Sequence, residues 1–498
     1  MADDLGWNDV GFHNPKVRTP NIDALRAKGI ELTQSYMSPV CSAPILEYGC
    51  QVWDPYKRYE VDQIEAVQRK AVRFICNVKG RDIGVTGLIK DMNLETLEER
   101  RTNLLEQGVM QRRVDGSANI DNIGTHLTLQ DADDVEELIL AHENDPSPLF
   151  MWITPTAPHD PLEVTDDMYN SHDFLDDTDP EQNLRRKYLG LVWALDHLVG
   201  VTMQALEDAG LSDNTIILFS SDNGGATPSV TFGGHEYYAN AYPLRNGKNG
   251  YTDGGVRVPT VYYDPRLHPR TRGTSRDFLV HAVDWLPTLV QQAKKGRKSP
   301  NFKIDGQDGV SQLANLLSHY NCPKKRQYHI REEMLVALSD APIDFTDISE
   351  CATEDAAFRW RDYKLIYGEQ YYLIDPATVA TEWWKPQESP GLPDITGDDC
   401  HRIIDGKRVV RCLFNVIDDP SEQHNLYDDE PEIVAMLIDK IQAAREEAVL
   451  PVYHNTLGIT PMTTQDFGPY KIPRHDYCTP AIHFALEPTL EECYMEGP

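Results

Sequence analysis

Two continuous apolar runs separated by a long helical pattern constrain the fold more than any other feature. The runs are residues 149–153 and 215–219. Each predicts a strand covered on both faces, because a strand with one solvent-facing side alternates apolar and polar residues. Between them, residues 188–209 repeat apolar side chains at near-helical spacing and stop at Gly210. Strand, helix and strand in this order predict an α/β fold with a parallel sheet.

The start of the chain predicts a further α/β unit. Thr19 and Pro20 open a short helix that runs through Leu25 and closes at Gly29, and residues 30–36 follow as a strand. After about residue 350, short aromatic strands replace this alternation. We therefore expect a second, smaller domain at the C-terminal end.

Composition narrows the class of protein and of partner. The 498 residues are 40% apolar and 25% charged, which is typical of a globular chain of two or three domains. A net charge of -32 opposes binding of nucleic acid, so an anionic substrate needs local cations. No apolar run of about 18 residues predicts a membrane span. The first residues lack the pattern of a signal peptide, which predicts a cytosolic chain.

The cysteines suggest no metal cluster. There are nine, without a Cys-x-x-Cys pair. Cys400 and Cys412 could close a loop if they are oxidised. No cysteine-based zinc site or redox pair is expected.

Two oxygen-rich clusters are candidates for a metal site. Asp3 and Asp4 lie near the start of the chain, and Asp222 and Asn223 directly follow the second apolar run. Three carboxylates and an amide oxygen suit a hard divalent cation such as calcium or magnesium. Taken singly, each cluster is better explained by a helix cap or a turn.

Two further side chains could take part in chemistry at the same edge of the sheet. His159 lies six residues after the first apolar run, where a histidine can reach a ligand and donate a proton. Lys248 lies in a glycine-rich stretch that could hold an oxyanion. A loop histidine and a solvated lysine are the alternatives for these two residues.

In order and spacing these segments resemble the sulfatases, and among them the arylsulfatase B type. The resemblance covers roughly residues 1–43 and 115–460. It implies an alkaline-phosphatase-like α/β fold, with a mixed or parallel sheet flanked by helices and a smaller C-terminal α+β domain. The segments that carry it are residues 2–13, 18–25, 158–162, 221–225, 243–245, 254–257, 284–289, 304–306 and 413–420, with Glu422, His424 and Leu426.

The resemblance also implies the roles of the candidate site residues. Asp3, Asp4, Asp222 and Asn223 would hold one calcium ion. His159 would assist the leaving oxygen, and both His159 and Lys248 would bind the substrate. The implied substrate is a sulfated sugar, in the family the 4-sulfate of N-acetylgalactosamine in glycosaminoglycans, or a small aryl sulfate. The implied location is lysosomal or secreted.

Cys41 is where this chain departs from the family. Sulfatases convert the cysteine of a Cys-x-Pro-x-Arg motif into formylglycine, the catalytic nucleophile. Here Cys41-Ser42 is followed by Ala43-Pro44-Ile45, so the proline and the arginine of the motif are replaced. The family's next segment, which supplies a second lysine and a histidine, has no equivalent. The sequence predicts that Cys41 stays a thiol and that turnover is impaired.

The segment after this motif resembles a different family. Residues 44–106 resemble a fragment of a non-LTR retrotransposon reverse transcriptase without its catalytic aspartates, and amphipathic patterns predict that the segment is helical. We therefore expect a sulfatase start without its first strand at 1–43, a helical insert at 44–114, a catalytic domain at 115–350 and a smaller domain at 351–498.

Three functions remain open from sequence. The first is calcium-dependent hydrolysis of sulfate esters. The second is a catalytically inactive protein that binds sulfated glycans. The third is a phosphatase of the same fold, with Ser42 as nucleophile.

Overall fold

The structure is a computed structural model, in which residues 1–37, 126–228, 238–248, 250–293, 308–318, 330–338, 356–368, 400–404 and 407–447 are described. The chain divides into two compact units. All described residues belong to the first unit, which comprises Met1–Cys41, His126–Leu450 and Arg474–Cys478. The predicted insert at 44–114 and Cys41, at the position of the family's nucleophile, lie outside the described residues. The predicted domain boundaries therefore stay predictions.

The first sheet has four strands in the order β3-β4-β1-β5. They are β1 (Ile30–Leu32), β3 (Ile217–Ser220), β4 (Thr260–Tyr263) and β5 (Thr274–Arg276). β4 pairs antiparallel with both β1 and β3, whereas β1 pairs parallel with β5. The sheet is thus mixed, because only one of its three strand pairs is parallel. A separate parallel pair joins β2 (Ser35–Tyr36) to β6 (Val280–His281), so the predicted strand at 30–36 is two short strands.

Seven helices lie among the described residues before residue 333. They are α1 (Pro20–Lys28), α2 (Leu127–Ala141), α3 (Asp166–Asn170), α4 (Pro180–Asp208), α5 (Asp253–Val256), α6 (Trp285–Ala293) and α7 (Leu313–Leu316), with 3₁₀ turns at Ser212–Asn214 and Ala282–Asp284. The predicted helix ending at Gly29 is confirmed. Its first backbone amides are satisfied by another helix, since Asn21 N and Ile22 N donate to Asp196 Oδ1 of α4 at 3.0 and 2.8 Å.

Helix α4 begins eight residues before the predicted start, because Asp179 caps it and Pro180 occupies its first turn. Its apolar side chains, among them Leu189, Val192 and Leu195, are buried in the core. By length and composition α4 could cross a membrane. Its burial within this core is typical of the central helix of a globular domain.

The strand predicted at 149–153 is wrong, since the structure has no strand there. Met151 and Ile153 pack beside α2 and α4, but Phe150 and Trp152 are 74% and 61% exposed. A continuous apolar run does not by itself supply a strand, because a strand also needs neighbouring backbone to pair with. The strand predicted at 215–219 is confirmed as β3.

The exposed aromatic residues give a stability prediction. Replacing Phe150 and Trp152 together with serine is expected to change the free energy of unfolding by only about 0.5 kcal/mol, because both side chains already face solvent. As a contrast, Leu189→Ala in α4 removes a fully buried side chain and is expected to cost ~2 to 5 kcal/mol. Denaturant unfolding measures both values. A large loss in the double variant would contradict the exposed placement.

A second sheet lies toward the C-terminus, with five strands in the order β10-β11-β9-β8-β7. The strands are β7 (Glu333–Leu338), β8 (Ala356–Trp360), β9 (Tyr363–Gly368), β10 (His401–Ile404) and β11 (Lys407–Asn415), all antiparallel. Helix α8 (Pro431–Glu447) packs on one face, against Phe358, Leu365 and Leu413. The opposite face, with Ile366 and Phe414, packs against Tyr36 and Val256.

Successive side chains in these strands point to opposite faces of the sheet. Both faces are buried. The disulfide that the sequence allowed is present, since Cys400 and Cys412 are bonded. The predicted smaller C-terminal domain is confirmed as a sheet with one covering helix. Its first strand, β7, precedes residue 351.

A buried histidine next to α3 gives a pH prediction. His172 is 0% exposed and its Nε2 accepts from Arg18 N at 2.9 Å, so the ring is neutral in the fold. Burial, with the charges of Arg185 and Arg18, lowers the pKa of His172 to about 3. Between pH 6.5 and about 3 the unfolded chain therefore binds a proton that the folded chain does not, and stability falls as pH falls.

At pH 5 this difference amounts to about 2 kcal/mol, since one pKa unit corresponds to about 1.4 kcal/mol. His172→Gln keeps an acceptor for Arg18 N but cannot titrate. We expect the variant to lose less stability than the wild type between pH 7 and pH 5, as measured by urea unfolding at each pH. Equal losses would show that His172 does not carry this dependence.

Candidate active site

Side chains from four separate segments meet beyond the end of β3. Asp3 and Asp4 come from the start of the chain, and Asp222 and Asn223 directly follow β3. His159 and Lys248 come from two loops. The structure thus brings together six of the seven residues predicted for the site, and the seventh, Cys41, lies outside the described residues.

Backbone pairing with the end of β3 places the acidic pair. Ala2 N donates to Ser220 O at 2.8 Å, and Asp222 N donates to Ala2 O at 3.0 Å. Leu5 N then donates to Ser221 Oγ at 3.1 Å. Asp4, which lies between Ala2 and Leu5 in the chain, has a φ of 64°. This left-handed conformation costs energy for a residue with a Cβ. Surrounding hydrogen bonds, including Asp4 N to Asp222 Oδ1 at 3.2 Å, hold it there.

Close backbone approach explains the glycines after Asn223. Gly224 N donates to Gly255 O at 2.9 Å, so the segment after β3 lies directly against α5. A Cβ on Gly224 would overlap with Gly254 O. Only glycine allows the two backbones to meet at this distance, which fixes Asp222 and Asn223 relative to the loop that carries Lys248.

The carboxylate of Asp4 lies at the centre of the cluster and is 2% exposed. Lys248 Nζ lies 2.7 Å from Asp4 Oδ1 and 2.9 Å from Oδ2. Asn223 Nδ2 donates to Asp4 Oδ1 at 2.7 Å, and His159 Nε2 lies 3.5 Å from Asp4 Oδ2. Two potential cations and an amide therefore converge on one carboxylate.

The electrostatics of the acidic residues indicate an excess of negative charge. Burial, together with the carboxylates of Asp222 and Asp4, raises the pKa of Asp3 to about 7. Burial and the Asp4 carboxylate also raise the pKa of Asp222. Three clustered carboxylates resist ionisation together unless a cation compensates them.

The pKa values of the two basic residues, His159 and Lys248, are raised as well. Burial lowers the pKa of His159, but the carboxylates of Asp4 and Asp3 raise it by more, so the net pKa lies above its usual value. For Lys248, burial also acts to lower the pKa, and Asp4 again outweighs it. The carboxylates of Asp4 and Asp3 therefore favour the protonated forms of both side chains, and the His159 side chain is 30% exposed.

Asp160 orients the histidine and was missed in the sequence. His159 Nδ1 lies 2.7 Å from Asp160 O and 2.8 Å from Asp160 Oδ1. A partner on Nδ1 fixes the ring so that Nε2 faces the cluster. The signal available was the His-Asp pair itself, but a neighbouring acid does not reveal from sequence which ring nitrogen it contacts.

Tyr188 at the start of the predicted helix was also missed as a site residue. Its hydroxyl donates to Asp4 O at 3.1 Å and accepts from Gly6 N at 3.3 Å. It therefore supports the backbone of the acidic segment from α4. No local motif marks this tyrosine, because its partners are more than 180 residues away in the chain.

The donor set fits a divalent cation. One carboxylate oxygen from each of Asp3 and Asp4 lies within 4.8 Å of the other, and Asp222 adds a further carboxylate beside Asp4. Hard oxygen donors of this kind suit calcium or magnesium. The raised pKa of Asp3 supports the fit, because a bound cation would compensate the charge that burial leaves unbalanced.

Comparison with known proteins relates this site and fold to a family. A sulfatase family model matches residues 92–295. Arylsulfatase J of Mus musculus is 25% identical over 483 residues, covering 90% of this chain and 75% of the relative. N-acetylgalactosamine-6-sulfatase of Rattus norvegicus is 32% identical over 202 residues, covering 41% of this chain and 33% of the relative.

A solved structure shows the same fold. The crystal structure of Ps i-CgsB in complex with k-i-k-neocarrahexaose has a TM-score of 0.55 and 20% identity, covering 89% of this chain and 91% of that chain. The predicted α/β architecture, with a mixed sheet, flanking helices and a smaller C-terminal sheet domain, is thereby confirmed. Over residues 92–295 the chain is therefore similar to the sulfatases, a family of sulfuric ester hydrolases, and its fold is alkaline-phosphatase-like.

Proposed function

We propose that this chain binds one calcium ion and a sulfate ester at the cluster around Asp4, and hydrolyses the ester with impaired turnover. The observation that supports this most is the convergence of Lys248 and His159 on the Asp4 carboxylate, beside Asp3 and Asp222. Such a cluster combines negative charge for a metal ion with two proton-bearing cations for an anionic substrate.

The residues suit the chemistry of sulfate ester cleavage. Cleavage moves negative charge onto the bridging oxygen, so positive groups around the sulfuryl and leaving oxygens lower the barrier. Lys248 Nζ would bind the sulfuryl oxygens, and His159 would donate its Nε2 proton to the leaving oxygen while Asp160 holds Nδ1. Asp3, Asp4, Asp222 and Asn223 would hold the calcium ion, which when bound supplies Lewis-acid stabilisation.

The nucleophile decides how fast the reaction can be. In the family it is a formylglycine at the position of Cys41, made within a motif that needs an arginine. Ile45 stands at that position here, and Ala43 replaces the proline. We infer that Cys41 remains a thiol in most molecules and that turnover is correspondingly slow.

The proposed substrate class is a sulfated sugar. The rat relative is by name a sulfatase of N-acetylgalactosamine, and the solved neighbour was crystallised with an oligosaccharide. Arylsulfatase B-type segments in the sequence favour the 4-sulfate of N-acetylgalactosamine. With a net charge of -32 the chain repels polyanions at long range, so Lys248 and the calcium ion would supply the local attraction.

The experiment is an assay of the purified full-length chain with 4-nitrophenyl sulfate and with 4-sulfated N-acetylgalactosamine, with calcium or with a chelator. We expect slow, calcium-dependent sulfate release that stops with the chelator. Failure of calcium to bind in calorimetry, or hydrolysis that is unchanged by the chelator, would contradict the proposed site.

A non-catalytic protein that binds sulfated glycans is the second candidate, favoured by the changes at Ala43 and Ile45. It predicts binding of a sulfated disaccharide in calorimetry without any sulfate release. A phosphatase using Ser42 instead predicts release of phosphate from an aryl phosphate in the same assay. The three outcomes are distinct.

A further inference from the structure

A cluster of three charged side chains lies outside the site described above, where the second sheet meets α5. Lys364 Nζ on β9 is 2.6 Å from Asp253 Oδ1 and 2.6 Å from Glu422 Oε1. All three side chains are 0% exposed. Asp253 Oδ2 also lies 3.4 Å from Arg257 Nη1, which balances the second carboxylate.

Burying these charges needs an explanation other than stability. Taking ions out of water costs several kcal/mol each, and well-packed apolar residues are often as stable as a buried ion pair. What directional charge pairs supply instead is a fixed geometry for the backbone segments that carry them. Lys364 and its partners therefore fix the backbone segments that carry them.

Asp253 contacts the strand that leads toward Cys41. Its Oδ2 accepts from Tyr36 Oη at 2.9 Å, and Tyr36 ends β2 five positions before Cys41. The next residue, Met37, donates its backbone N–H to Val256 O of α5 at 2.8 Å. Asp253 and α5 together hold the end of β2 and Met37 in place.

The same helix supports the metal-binding segment. Asp253 is the first residue of α5, and its backbone N–H donates to Glu422 Oε2 at 2.7 Å. Two residues later, Gly255 O accepts from Gly224 N at 2.9 Å, directly beside Asn223. Any shift of α5 therefore moves the backbone that carries Asp222 and Asn223.

The loop that carries Lys248 is hydrogen-bonded both to the start of α5 and to Glu422. Gly254 N and Thr252 Oγ1 each donate to Arg245 O at 2.9 Å, and Arg245 Nη1 donates to Glu422 O at 3.1 Å. Glu422 itself has a φ of 55°, a conformation that a non-glycine residue keeps only where its surroundings enforce it. Lys248 lies three residues beyond Arg245.

We propose that Lys364 is a positioning residue for the active site, acting through Asp253 and Glu422. It joins the second sheet to the three elements that carry the proposed machinery: the strand before Cys41, the Asp222–Asn223 segment and the Lys248 loop. This inference rests on the proposed function for its catalytic meaning. Lys364 is 0% exposed, so it would act on the site only through these partners.

The test compares Lys364→Met with a matched control, Lys440→Met. Lys440 pairs with Glu333 at 2.6 Å on the same C-terminal part of the fold, but the pair is 31% and 47% exposed and has no link to the site. Because Lys364→Met leaves two buried acids, the double variant Lys364→Met with Glu422→Gln serves as a second, less destabilised protein. All measurements are made well below the Tm of each variant.

We expect amide hydrogen exchange at 222–225 and 245–256 to be faster in both Lys364 variants than in wild type or Lys440→Met. The Kd for calcium, measured by calorimetry, is expected to rise by ~10- to 100-fold, the effect typical of losing support behind metal ligands. A lower Tm with unchanged Kd and unchanged exchange in these segments would overturn the inference. If wild type binds no calcium, the proposed function fails, and hydrogen exchange alone decides whether Lys364 positions the site.

Discussion

Asp4→Asn is expected to lower the affinity for calcium by about 100-fold or more, because divalent cation affinity depends on the number of charged ligands. Asp4 is the residue on which Lys248, Asn223 and His159 converge. The substitution keeps the shape of the side chain but removes the charge that holds both basic groups. Sulfate ester turnover should fall at least ~10²-fold in parallel, as it does when an electrostatic stabiliser is lost.

Calorimetric titration with calcium measures the first effect, and release of 4-nitrophenol from its sulfate ester measures the second. Asp213→Asn is the matched control, since Asp213 is an exposed aspartate in the turn before β3 and is not part of the cluster. The control should bind calcium as wild type does. Equal affinities for Asp4→Asn and wild type would place the metal elsewhere.

Restoring the nucleophile motif is expected to raise turnover by roughly 10³-fold or more, the scale on which hydrolases depend on their nucleophile. The double substitution Ala43→Pro and Ile45→Arg recreates Cys-x-Pro-x-Arg around Cys41. In cells that contain a formylglycine-generating enzyme, Cys41 should then be converted to the aldehyde. Mass spectrometry of the peptide that contains Cys41 reports the conversion, and the aryl sulfate assay reports the activity.

Cys41→Ala in the restored background is the control, and it should return turnover to the level of the original chain. If conversion rises but turnover does not, the deficit lies in the remaining site rather than in the motif. The absent second lysine and histidine of the family would then be the next residues to supply. If the original chain is already fully converted, the proposal that the motif limits activity is wrong.

The residues of the candidate site could be predicted from the sequence because they occur in short segments that can be recognised without knowing the fold. Asp3-Asp4 and Asp222-Asn223 are adjacent pairs, and the second pair closely follows the apolar run at 215–219. His159 lies beside the acidic residues although the strand predicted before it is wrong. The backbone bond from Asp3 N to Ala157 O, at 3.3 Å, positions the histidine loop instead of a strand ladder.

The support around the site could not be predicted in this way. Asp160 is adjacent to His159, but its contact with Nδ1 depends on the loop conformation. The Tyr188 hydroxyl, on α4, donates to the backbone of the acidic segment. Lys364 contacts Asp253 although the two residues are 111 positions apart in the chain. Contacts at such separations are set by how elements pack, and neither periodicity nor composition records that packing.

By itself, the sequence determined which ligands and cations are available, in what order they occur, and that the nucleophile motif around Cys41 is altered. The tertiary structure decided that these residues meet on one carboxylate, Asp4, and that the apolar run at 149–153 stays outside the sheet. The physical reason is the same in both cases. Side-chain chemistry and helical spacing are local properties of the chain, whereas pairing of backbone and of buried charge needs partners that only the folded chain brings together.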